Sequence, residues 1–156
     1  MGRNYGVNGN CVSGTGSATL PIMNIVSATT VRPKIYDINL GTDAAPADNA
    51  LKFQFQRGTT AGTWGGAGGA AITPQALDSG DPAALATANQ GVCSVGPTLT
   101  AAAFLWSWAM NQRASIRWVA APGSELILPA AVNSLNLMVP VATASVNTVF
   151  GILYNE

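Results

Sequence analysis

Apolar and polar positions alternate with a period of two through most of the chain. Leu51, Phe53 and Phe55 alternate with Lys52, Gln54 and Gln56, the signature of a strand with one dry face and one wet face. Residues 32–40 alternate less strictly through Tyr36, Ile38 and Leu40, and residues 102–110 set Phe104, Trp106, Trp108 and Met110 on one side. The same spacing recurs in Ile116 with Trp118, Leu126 with Leu128, Leu135 with Leu137 and Val139, and Phe150 with Ile152 and Tyr154. Pro122-Gly123, Pro129, Asn133 and Pro140 supply turns between them. Seven or eight short strands with such turns, and no long helical period, predict an all-β fold, an antiparallel β-sandwich or barrel. A buried helix over 106–110 is the weaker reading, because its aromatics fall at i and i+2.

One helix has a start signal. Asp81 can cap, Pro82 suits the first helical position, and Ala83 to Ala88 continues with good helix formers, which predicts one or two turns as a connector on the sandwich.

Two segments depart from the alternation. Residues 1–19 are rich in Gly, Asn, Ser and Thr and cannot bury enough apolar surface to fold alone. With the residues up to 30 they read as an extended N-terminal arm, ordered by another chain or by the body, ahead of a sandwich domain over 31–156. Deleting residues 2–19 is expected to leave that sandwich folded. Residues 59–71 form a long loop of Gly, Ala and Thr around Trp64. Trp64 has two open readings: an anchor in a protein interface, or an aromatic folded back over its own core.

Charge changes the picture most. Seven basic and seven acidic residues balance to zero, 9% of the chain in all, and there is no histidine. Ordinary domains carry roughly a quarter charged residues, and a weakly charged, neutral surface favours self-association. The surface is therefore expected to be covered by neighbours. Without histidine there is no Ser-His-Asp or Cys-His pair and no imidazole metal site, and two cysteines are too few for a zinc site. Asp78 with Asp81, and Asp43 with Asp48, read as turn and cap chemistry rather than as a catalytic pair or calcium ligands. Gly65, Gly66, Gly68 and Gly69 lack the Lys-Ser/Thr that a phosphate loop needs. No catalytic residue, cofactor or metal is expected, and the chain reads as a non-enzyme.

The charge balance gives no net attraction for nucleic acid. Arg113 and Arg117 are expected on one strand face, paired with a carboxylate such as Glu125 or with a neighbouring subunit. Residues 126–155 carry no charge but hold Pro129, Pro140 and four asparagines, so they do not read as a membrane span. The first residues lack the plan of a signal peptide, which makes a cytoplasmic origin the expectation, with Cys11 and Cys93 as two free thiols.

A resemblance then emerges from particular residues. Asn111-Gln-Arg113, Arg117-Trp-Val-Ala-Ala-Pro-Gly-Ser-Glu-Leu126 and Leu128-Pro-Ala130 resemble a pattern in small structural proteins of tailed bacteriophages. Val31-Arg-Pro-Lys-Ile35, Pro46-Ala-Asp-Asn-Ala50, Gln56-Arg57 with Gly62-Thr63, and Thr73-Pro-Gln-Ala-Leu-Asp78 through Asp81-Pro82 fall in the corresponding order. The resemblance covers residues 31–130. It implies a jelly-roll-like head decoration, or cement, protein on the capsid exterior, a homo-oligomer with the trimer favoured, holding adjacent major capsid protein subunits together. The residues expected to make such contacts are Arg3, Tyr5 and Asn8 on the arm, Trp64 in the loop, and Arg113 and Arg117. The rival expectations are a neck or tail-fibre component, and a carbohydrate-binding β-sandwich module that stacks sugar rings on Trp64, Tyr5 or Tyr36.

Overall fold

The computed structural model describes residues 2–12, 17, 19–65, 69–140 and 145–156. Fourteen strands are found there in chain order: β1 (Asn4–Val12), β2 (Met23–Val26), β3 (Lys34–Asp43), β4 (Ala50–Gly58), β5 (Thr63–Trp64), β6 (Ala70–Ile72), β7 (Gln75–Ala76), β8 (Thr87–Gln90), β9 (Cys93–Val95), β10 (Leu99–Asn111), β11 (Ile116–Val119), β12 (Leu126–Ile127), β13 (Ser134–Met138) and β14 (Asn147–Asn155). One six-stranded sheet runs β11-β3-β14-β1-β7, with β12 continuing along the β11 side of β3. The other runs β10-β4-β13-β2-β8-β6, and β5 pairs with β9 in a small ribbon. Every pairing is antiparallel.

The two large sheets close on one core. Ile38, Leu40, Phe150, Ile152 and Tyr154 come from the first, and Ile25, Phe53, Phe55, Leu135 and Leu137 from the second. Alternation puts these side chains inward, and burying each large one contributes about 1.5–3 kcal/mol. Register shifts in β3 and β10 reset that alternation. In β3 the partner of Tyr154 is Ile35 while that of Leu153 is Asp37, so Tyr36 is the extra residue, and the inward set is Ile35, Ile38 and Leu40. In β10 the register slips between Leu99 and Phe104 and again at Leu105: Phe104 faces Gln56 on the outside, whereas Trp106 and Trp108 face Phe55 and Phe53. The expected common side of Phe104, Trp106, Trp108 and Met110 therefore loses Phe104, which stands 52% exposed.

The N-terminal arm expected from the sequence is not an arm over residues 4–12. β1 pairs with β14 along nine residues and with β7 on its other side, and it supplies Tyr5, Val7 and Cys11 to the core. Its Gly and Asn positions, which suggested disorder, fall on the outer face and on the sheet's close approaches. Met23–Val26 likewise belongs to the second sheet. Removing residues 2–19 would take a central strand out of the first sheet, contrary to the expectation that the body stays folded. Met1, residues 13–16 and residue 18 lie outside the described residues, as do Gly66 and Gly68 of the expected loop.

The connector helix is also absent. Residues 83–86 run without helix, and Thr87 to Gln90 is a strand between β2 and β6. Six residues would have to bear the cost of helix nucleation for almost no ladder. Tertiary partners take the same groups instead: the Leu85 and Ala86 amides donate to the Glu156 carboxylate at 2.7 and 3.1 Å, and Ala86 and Ala88 are buried in the core. Asp81 pairs with Arg3 at 3.5 Å.

Candidate assembly surface

The first sheet presents a broad outer face built by the same alternation that fills the core. In β1 the outward residues are Asn4, Gly6, Asn8, Asn10 and Val12; in β14 they are Asn147, Val149, Gly151, Leu153 and Asn155. Pairing places Asn8 opposite Gly151, Gly151 opposite Asn39, and Asn39 opposite Arg117, so one row crosses four strands. A Cβ on Gly151 would come within 2.6 Å of the Asn39 amide and 2.8 Å of Asn8 Oδ1, because both side chains close over the glycine. The result is an amide-rich surface, with Val12 and Val149 exposed among the amides and Lys34 and Asp43 at the two ends of β3.

Besides Lys34 and Asp43, the face carries a matched pair. Arg117 forks onto Asp37, with Nη2 at 2.5 Å from Oδ2 and Nε at 3.1 Å from Oδ1. The carboxylate holds the guanidinium pKa above its ordinary value. Asp37 is nearly buried while Arg117 is exposed, so the pair presents a neutralised edge to whatever covers the face. Glu125, the carboxylate expected for Arg117, instead accepts from the Gly123 amide at 3.1 Å, and its pKa is lowered by such backbone bonds.

The other expected contact residues scatter. Arg113 sits in the turn between β10 and β11, its amide donating to Asn111 Oδ1 at 2.9 Å, and it does not share a strand face with Arg117. Arg3 is exposed beside an open cleft of about 600 Å³ lined by Gly2, Asn4, Leu77, Asp78 and Asp81. Asp78 accepts from the Gly80 amide in a turn, as its neighbours in sequence predict. Tyr5 is 1% exposed, stacked on Tyr154 with ring centroids 5.6 Å apart, and donates to the Pro82 carbonyl. It can meet neither a partner nor a sugar ring. Trp64 is half-buried, its indole N–H donating to the Ala61 carbonyl at 2.9 Å, so the ring is tied to its own loop. Of the six, only Asn8 and Arg117 share the outer face.

The second sheet's outer side is different. All of β2 and β13 is buried on both faces, and the 59–64 segment covers a layer of amides there. Asn24 donates to the Ala61 carbonyl, Asn89 to Asn24 Oδ1, Ser134 to the Thr60 carbonyl, and Asn136 to Ser134 Oγ. The loop's polar backbone and the sheet's amides satisfy one another. Asn136 Oδ1 is left without a partner.

Sequence reasoning passed over one cluster. Trp106 and Trp108 stack at 5.9 Å, Trp118 lies 4.4 Å from Trp106, and Phe55 packs edge-on against the first two. The three indoles are half-buried, filling the open side between β10 and β11 where the two sheets end. The signal was available in three tryptophans on two consecutive strand segments, but inward alternation alone reads as full burial.

Cys11 and Cys93 are both free, and both are buried. Among the described residues no three Cys, Asp or Glu side chains gather as a metal ligand set. The arrangement defines an antiparallel all-β protein whose first sheet carries an amide-rich outer face. No family model, curated protein or solved structure matches the chain.

Proposed function

We propose that this chain is a structural protein of a tailed-phage virion, a decoration or cement protein that binds the capsid exterior and bridges major capsid subunits. The observation that carries the reading is the outer face of the first sheet. Asn4, Asn8, Asn10, Asn39, Asn147 and Asn155 offer donors and acceptors without net charge, and the Arg117–Asp37 pair is already neutralised. Amides cost less to desolvate than free charges, and many copies of a modest contact add up across a shell. A ligand bound to the assembled shell alone would stabilise it by mass action. The jelly-roll reading is supported by nesting: β3 pairs with β14 in one sheet, β4 with β13 in the other, and the links β3 to β4 and β13 to β14 cross between sheets.

The test is the copy number of this chain against the major capsid protein in purified virions, by quantitative mass spectrometry. One copy per capsid subunit, or a simple fraction of it, supports decoration. A dozen or fewer copies would move the chain to the neck or tail, and absence from the particle would overturn the proposal.

A further inference from the structure

The ends of the sheets are not treated alike. An edge strand offers a row of unpaired backbone N–H and C=O groups, and proteins blunt such edges with short strands, charges, proline or bulges. β6 and β7 end their sheets with three and two residues. β11 and β12 are short pieces of a broken edge interrupted by Pro122-Gly123, with Arg117 in the first. β10 is the exception. It ends the second sheet, is thirteen residues long, contains no charged residue, no proline and no glycine, and has its register shifts only before Trp106. From Trp106 to Asn111 its ladder with β4 is regular, so the opposite rim of this segment is a straight template for another strand.

We infer that β10 is a self-association edge, which pairs antiparallel with β10 of a second copy and joins the two second sheets into one continuous sheet. The sequence of the edge argues for its own copy as the occupant. A two-fold axis perpendicular to the sheet pairs residues whose numbers sum to an even value, keeping each side chain on its own face. Centred on Trp108, it sets Trp106 against the partner's Met110, Ser107 against the partner's Ala109, and Trp108 against its own symmetry mate. Apolar then meets apolar on the inner face, small meets small on the outer face, and no charge opposes a like charge. The half-buried Trp106, Trp108 and Trp118, which fill the open side of the sandwich next to this edge, would be covered by the same side of the second copy. Zero net charge removes long-range repulsion between the two. This inference rests on the edge alone and stands apart from the capsid reading.

Introduced charge tests it on the full chain. Ser107 and Ala109 are exposed on the outer face, so both double variants, S107K with A109K and S107E with A109E, should fold and keep a native circular dichroism spectrum. Sedimentation velocity should show the unaltered chain as a dimer. Either double variant alone should be monomeric, with affinity weakened by about tenfold or more from like charges opposed across the edge. Mixing the Lys and Glu variants should restore a dimer containing one of each. Hydrogen exchange on the unaltered chain gives a second readout that needs no variant: the β10 amides should lose protection on dilution while those of β13 do not. A monomer at all concentrations, a trimer, a dimer that survives in both variants, or β10 exchange independent of dilution would overturn the paired edge.

Discussion

Two glycines show how the same residue type serves opposite ends. Gly151 lies in β14 under the Asn8 and Asn39 side chains, whose amide ends are exposed and free to swing aside. Gly58 ends β4 in the buried polar layer, where a Cβ would come within 2.7 Å of Ser134 Oγ, 2.9 Å of Asn136 Nδ2 and 3.1 Å of the Thr98 carbonyl. Ser134 is held to the Thr60 carbonyl and Asn136 to Ser134, so neither can yield without breaking a buried hydrogen bond. Gly58→Ala should therefore cost about 1–3 kcal/mol, and Gly151→Ala should stay within about 0.5 kcal/mol of the unaltered chain, both measured by urea unfolding. Equal costs would show that the amide layer is no tighter than the outer face. Residue-level chemistry of this kind was only partly legible in the sequence. Asp78 as a turn residue follows from the glycine two positions on, while the Arg117 partner does not, because Asp37 reaches it only through the register of β11 on β3.

At the scale of elements, legibility followed the solvent. β4 was plain in the sequence because one of its faces is wet, so Lys52 and Gln54 punctuate Leu51, Phe53 and Phe55. β13 carries the same inward Leu135 and Leu137, but its outward Ser134, Asn136 and Met138 are buried too, and alternation cannot announce a second covered face. The bulges at Tyr36 and Leu105 left no mark in the sequence, since a register slip is decided by the partner strand. β1 was hidden for the opposite reason: Tyr5, Val7 and Cys11 do alternate, yet the Gly and Asn between them give the segment the composition of a loop. Its place between β14 and β7 leads to a direct expectation. A chain lacking residues 2–12 should lose cooperative unfolding and native circular dichroism altogether, because the missing ladder and core side chains compare with the whole stability of such a domain, roughly 5–15 kcal/mol. A truncated chain that unfolded cooperatively would show β1 to be an accessory to the sandwich.

The molecule as a whole ties its ends together. Arg3 and Glu156 exchange backbone hydrogen bonds at 2.9 Å, the Glu156 carboxylate caps the 85–86 segment, and Arg3 reaches Asp81. Around that closed body the ionisable groups fall into an unusual distribution. With no histidine, no side chain has its ordinary pKa near neutrality, so stability should vary little between about pH 6 and 8. The alkaline side is different. Burial pushes the Cys11 and Cys93 thiols above their ordinary value of 9.0, and pushes the Tyr154 phenol, whose hydroxyl has no partner, above 10.0. Below those ordinary values the groups are neutral in both the folded and the unfolded chain, and the stabilisation is fully present. Above them the unfolded chain ionises while the folded chain holds its protons, so each group lowers stability by up to about 1.4 kcal/mol per pH unit until its folded pKa is reached. The urea midpoint should thus be level through neutrality and fall from about pH 9 upward. In a C11S C93S variant the fall should begin about one unit later, with the tyrosines alone. A midpoint that declined equally early in that variant would show that the thiols titrate freely in the folded protein, and that the core around β1 and β9 admits water.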